Sequence, residues 1–212
     1  MLTIKSPVFE KTYQEYLSRI SLVDFKTIAE KLGGRVDANR IVIPFFGKSY
    51  QISSQGIMDP YGNRPIHAIN VVLSKYILLC PRENPGGSDW VSYRDFKDAA
   101  PFAGAFANQT EKAIAGNFSG NLDKLVKACE QLGSRPSNMD LSYDLAWVFD
   151  ALPRIPVLFL FNDADDEFPA QCSILFKKYA EKYLDMECLA IVGWLLSDYL
   201  KQTGGGSNPT LM

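Results

Sequence analysis

"LSYDLAWVFDALPRIPVLFLF", residues 141–161, decides the fold class. Apolar and aromatic runs, "LSYDLAWVFD" and "VLFLF", flank the connection "ALPRIP". Proline fixes φ and offers no backbone N–H, so Pro153 and Pro156 predict a kinked hairpin instead of one continuous strand. Upstream, "RVDANRIVIPFFGKSYQIS" (35–53) has the same character. Its short β-rich runs carry turn chemistry at Asp37-Ala38-Asn39 and Gly47-Lys48, which reads as an antiparallel meander of three strands. A helical middle separates the two strand clusters, about 35–53 and 142–161, with no βαβ alternation. The expectation is an α+β fold in which both clusters share one antiparallel sheet packed with several helices.

The helices are read from spacing and caps. "SPVFEKTYQEYLSRISLVDFKTIAEKLGG" (6–34) starts with Ser6 as N-cap and Pro7 at the first helical position, breaks near Ser21 and stops at Gly33-Gly34. "IHAINVVLSKYILLC" (66–80) places Ile69, Val72, Leu73, Tyr76 and Cys80 on one face. Ser92, followed by Asp95, resembles a capping box. Thr110 and Asn121 are predicted to cap two further helices, the second ended by Gly133. Two closing helices are expected over about 169–183 and 186–201, the first with the apolar stripe Cys172, Leu175, Phe176, Tyr179 and Tyr183. Residues 1–202 read as a single domain and 203–212, "TGGGSNPTLM", as a flexible tail.

Composition excludes several classes. At 47% hydrophobic and 22% charged, the chain of 212 residues fits a folded globular protein and not a disordered one. The formal net charge is −2, and residues 141–200 hold ten acids against four bases, net −6. A phosphate-tracking surface there is unfavourable, so no nucleic-acid partner is expected. The longest apolar run, "CLAIVGWLL", is far shorter than the roughly 20 residues of a membrane span, and the N-terminus lacks a signal-peptide pattern. Cys80, Cys129, Cys172 and Cys188 form no CxxC pair and read as free buried thiols of a cytoplasmic protein.

Catalytic signals are sparse. The densest polar stretch is "FNDADDEFPAQCSILF" (161–176), with Asp163, Asp165, Asp166 and Glu167. A calcium loop counted from Asp163 would need glycine and glutamate where Phe168 and Ile174 stand, so no metal is assigned. The bland reading is that these acids start the helix after Pro169 by compensating its positive end. The sharper one uses Asp165, Asp166 or Glu167 as acid/base or metal groups. His67 is the only histidine, so any histidine-dependent nucleophile must use it. His67, Asn70 and Ser74 share one helical face as a candidate pocket wall, against the commoner reading of a core boundary. Trp90, Tyr93 and Arg94 form a candidate binding platform, against a structural anchor. No GxGxxG and no P-loop pattern occurs, and no cofactor is implied.

"LPRIPV" (152–157), "DEFPA" (166–170), "ILF" (174–176), "YL" (183–184) with Glu187, and "DWVSYRDF" (89–96) resemble an uncharacterised bacterial domain family of unknown function. The resemblance covers about 65–200 and implies an origin mostly in anaerobes; some members add an iron–sulfur segment whose cysteine spacing this sequence lacks. It carries over no catalytic residue. The leading expectation is a non-catalytic domain binding a small molecule or partner protein in anaerobic bacterial metabolism. The rivals are a divalent-metal enzyme using the loop 163–167 and a structural homo-oligomer associating through an edge strand.

Overall fold

Helix α1 (Pro7–Ile20) buries Tyr13, Leu17 and Ile20, and α2 (Phe25–Leu32) follows after a break. The computed structural model describes residues 7–204, so the N-cap expected at Ser6 lies outside the described residues. Asp24 starts α2 by accepting the Lys26 N–H at 3.0 Å, and Gly33, at φ 68°, ends it in the left-handed conformation that glycine adopts without strain. Strands β1 (Arg35–Asp37), β2 (Arg40–Phe45), β3 (Lys48–Ser53) and β4 (Gly56–Met58) then form an antiparallel sheet in that order. The meander thus has a fourth strand, too short for its periodicity to be read.

Helix α3 (His67–Leu78) leads through an irregular stretch to β5 (Trp90–Ser92) and a 3₁₀ turn at Tyr93–Asp95. Next comes one helical rod: α4 (Ala100–Phe106), a π turn at Ala107–Glu111 and α5 (Lys112–Phe118). Thr110 therefore sits inside a helix, buried, and caps nothing. Asn121 does precede α6 (Leu122–Gln131), but its side chain turns back to the Ser119 carbonyl. Ser92 makes no side-chain cap either. Strands β6 (Arg135–Pro136), β7 (Leu145–Leu152), β8 (Ile155–Asn162) and β9 (Gln171–Lys177), and helix α7 (Met186–Thr203), complete the chain. Residues 205–212 of the expected tail lie outside the described residues.

The fold is α+β, but the two strand clusters build two sheets and not one. The second runs β5-β9-β8-β7-β6, all antiparallel. The sheets meet where the Phe46 N–H donates to the Ala151 carbonyl at 2.8 Å. A further correction concerns residues 169–183, which form β9 and a 3₁₀ turn at Lys178–Lys182 instead of a helix. Ile174 and Phe176 are fully buried while Leu175 between them is not, the alternation of a strand. The long hydrophobic strand β8 needs a partner on each edge. Pairing with β9 satisfies it and overrides the i, i+3 pattern of the same residues.

The β7–β8 hairpin explains "LPRIPV". Arg154 donates to the Lys31 carbonyl from Nε and to the Glu30 carbonyl from Nη2, both at 2.8 Å, covering the free end of α2. Tyr76 donates its hydroxyl proton to Leu32 O at 2.9 Å and accepts the Arg154 N–H at 3.2 Å. Gly33 approaches so closely that a Cβ there would stand 2.5 Å from Cβ of Pro153. The motif is a clamp that ties the second sheet to the end of α2 and to α3. Phe149, Phe159, Phe161 and Phe176 belong to a hydrophobic cluster that runs from α1 to α7.

Candidate functional site

Strand β5 pairs with β9 over three residues only, ending at Ser92 opposite Leu175. The chain then turns away, and β9 from Gln171 to Ile174 has no strand on that side. The π turn of the helical rod comes against this open edge. An extra residue in a helical turn shifts the side chains that follow it, and such bulges recur at functional sites. Here the Oε1 of Glu111 accepts the Ile174 N–H at 3.0 Å. A carboxylate stands where the carbonyl of a neighbouring strand would otherwise be.

Around this contact lies a cavity of about 530 Å³. Ser92, Tyr93 and Arg94 form one wall, Ala103, Phe106, Ala107 and Glu111 a second, and Tyr143, Leu160, Ser173 and Leu175 a third. The floor is aromatic. The ring of Tyr93 stacks on that of Phe106 with centroids 4.2 Å apart, and its hydroxyl donates to the Met186 carbonyl at 2.7 Å. Burial, with the charges of Asp185 and Glu187, pushes the Tyr93 phenol up to about 12, so it stays neutral and serves as support.

Glu111 is half-buried. Burial raises its pKa above the ordinary glutamate value, against the opposing pull of the Ile174 N–H and the Arg94 guanidinium. Arg94 sits at the mouth with its side chain 81% exposed and a loose 4.0 Å contact to Asp95. The arrangement holds a desolvated acid, an accessible cation and hydroxyls over an aromatic floor.

The sequence-derived candidates distribute unevenly. Tyr93 and Arg94 line the cavity; Trp90 does not, lying instead under the Lys177 ammonium at 4.0 Å from its ring centre. His67 opens α3, stacked on Phe9 at 4.0 Å, and its pKa is lowered by burial and by Arg64, against Glu187. Asn70 donates to the carbonyls of Pro65 at 2.7 Å and Ile66 at 3.1 Å, while its Oδ1 and the Ser74 hydroxyl are buried with no hydrogen-bond partner among the described residues. None of these three lines the cavity.

The acidic loop starts a strand, not a helix. Asp165 Oδ1 accepts the N–H groups of Glu167 at 2.8 Å and Phe168 at 2.6 Å, which holds its carboxyl below the usual aspartate range. Asp163 Oδ1 accepts from Gly120 at 2.6 Å and Ala164 at 2.8 Å. These carboxylates are engaged with backbone. Asp166 and Glu167 lie exposed in the same loop. Among the described residues no three His, Cys, Asp or Glu side chains converge as a metal site.

Glu111, Tyr143 and Ser173 are absent from the sequence-derived set. Glu111 follows Thr110, whose hydroxyl suggests a helix start. The uninterrupted run of residues free of internal proline between Pro101 and Phe118 was the available sign that the helix passes through.

A family model described as "Domain of unknown function (DUF3786)" matches residues 24–199. The chain belongs to this family. The DUF3786 region begins at the cap of α2, earlier than the resemblance over 65–200, and contains both sheets and every wall of the cavity. Among curated proteins nothing matches the chain, and among solved structures nothing matches it.

Proposed function

We propose that this DUF3786 domain is a non-catalytic small-molecule-binding domain whose ligand sits in the cavity between the π turn and the open edge of β9. The observation that carries the reading is Glu111. An acid whose burial disfavours its own charge lies in a cavity of about 530 Å³, bound by one oxygen and taking no other hydrogen bond among the described residues. Cavities of about 300–1,000 Å³ with an apolar floor and a few convergent polar groups are the usual form of a ligand site. Perturbed carboxylates concentrate at such sites. The engagement of Asp163 and Asp165 with backbone N–H groups favours this reading over a divalent-metal enzyme built on that loop. The cell context we assign, the cytoplasm of anaerobic bacteria, rests on the sequence resemblance and on four free cysteines. No helix among the described residues is long and apolar enough to cross a membrane.

The test is a ¹H–¹⁵N correlation spectrum recorded with millimolar mixtures of carboxylic acids, amines, amino acids and sugars. Perturbation centred on the amides of Ile174, Tyr93 and Ala107 supports the site. Perturbation confined to other surfaces, or none with any mixture, overturns it.

A further inference from the structure

Arg94 and Glu111 carry opposite charges on two walls of one cavity, and no ion pair joins them among the described residues. Glu111 is anchored by the Ile174 N–H, and the one ion pair of Arg94 among the described residues is its loose contact with Asp95. The two charges face the same space, Glu111 desolvated by burial and Arg94 open to solvent. An ammonium group supplies donors and positive charge to a desolvated carboxylate, and the planar guanidinium fork matches a carboxylate. Ser92 and Ser173 line the same cavity and add hydroxyl groups to its walls. Phe106 and Leu160 supply the apolar surface beneath.

Resting on the small-molecule reading above, we propose that the ligand is an α-amino-acid zwitterion with an apolar side chain, its ammonium on Glu111 and its carboxylate on Arg94. A simple amine leaves Arg94 unanswered. A simple acid brings a second negative charge towards Glu111, which disfavours it electrostatically. The zwitterion answers both walls at once, and the cavity has room for a branched side chain over Phe106.

Three probes of matched shape separate the terms: leucine, isoamylamine, which lacks its carboxylate, and 4-methylpentanoate, which lacks its amine. Calorimetric titration is expected to give leucine the tightest binding, with each single-charge analogue weaker by about tenfold or more, the size of one lost charge-assisted hydrogen bond. Glu111→Gln and Arg94→Gln are each expected to weaken leucine by a similar factor while the amide signals of β1–β4 stay in place. An analogue binding as tightly as leucine, or either variant binding leucine as tightly as the native protein does, overturns the zwitterion and leaves the cavity reading standing. If neither these three compounds nor the broader mixtures move the Ile174 amide, the cavity reading falls as well.

Discussion

Substituting Glu111 two ways separates its structural duty from its charge. Glu111→Ala removes the acceptor of the Ile174 N–H, at a residue that is fully buried. A buried donor left without a partner costs about 1–3 kcal/mol. The adjoining cavity admits water to that amide, so the loss is expected in the lower half of that span. Glu111→Gln keeps a carbonyl oxygen for the same N–H and deletes a charge that burial disfavours. Its stability at neutral pH is expected to equal or exceed that of the native chain. The pH dependence follows from the direction of the shift. A carboxyl whose folded pKa lies above its unfolded value binds its proton more tightly when folded. Its contribution to stability is full below the unfolded value and is lost as pH rises through the folded one. The difference between native and Glu111→Gln proteins should therefore open on going from about pH 4 to about pH 8. Urea unfolding followed by tryptophan fluorescence across that range measures it. A glutamine variant as unstable as the alanine one, or a difference independent of pH, would refute the assignment of Glu111 as a desolvated acid.

Other substitutions probe the frame around the site. Gly193 on α7 faces the pocket from behind: a Cβ there would overlap the Phe106 ring and stand 3.3 Å from Thr110 Cγ2. Gly193→Ala is expected to lower stability by about 1–3 kcal/mol through overpacking, despite a helix-propensity gain of up to about 1 kcal/mol. Phe106→Leu in the same chain should recover part of the loss in a thermal melt; no recovery would mean that the ring is not the obstacle. Arg154→Ala removes the side-chain donor to the Lys31 carbonyl and one of two donors to that of Glu30, which keeps the Gly33 N–H, and should cost about 1–3 kcal/mol in chemical denaturation. An unchanged midpoint would remove the clamp from the account. Asp165 has a lowered pKa, so its stabilisation of the loop is present above the ordinary aspartate range and fades as pH falls through the folded value. Asp165→Ala is expected to abolish hydrogen-exchange protection at Glu167 and Phe168, and retained protection would show that other contacts close the turn.

The fold class was legible because its decisive features are local. The prolines of the β7–β8 connection, the double glycine after α2 and the apolar face of α3 each follow from backbone chemistry within a few residues. The helix misread over 169–183 had a different origin. Cys172, Leu175 and Phe176 fit a helical stripe as well as a strand, and pairing with β8, the strand just upstream, decides between them. The separation into two sheets was hidden because it rests on strand pairing over long sequence distances, such as β5 with β9, which leaves no local pattern. The candidate site was half legible. Aromatic and basic residues at a loop-to-helix junction pointed to Tyr93 and Arg94. Glu111 was not, because its meaning comes from a π turn that brings it to a strand edge formed by residues more than 60 positions later.

A crystal structure of the protein grown with saturating leucine tests the central claim most directly. The account predicts the amino acid in the cavity, its nitrogen within hydrogen-bonding distance of the Glu111 carboxylate, its carboxylate on the Arg94 guanidinium and its side chain over Phe106. Leucine bound at another surface, or a cavity between Arg94 and Glu111 holding only water at saturation, would contradict it.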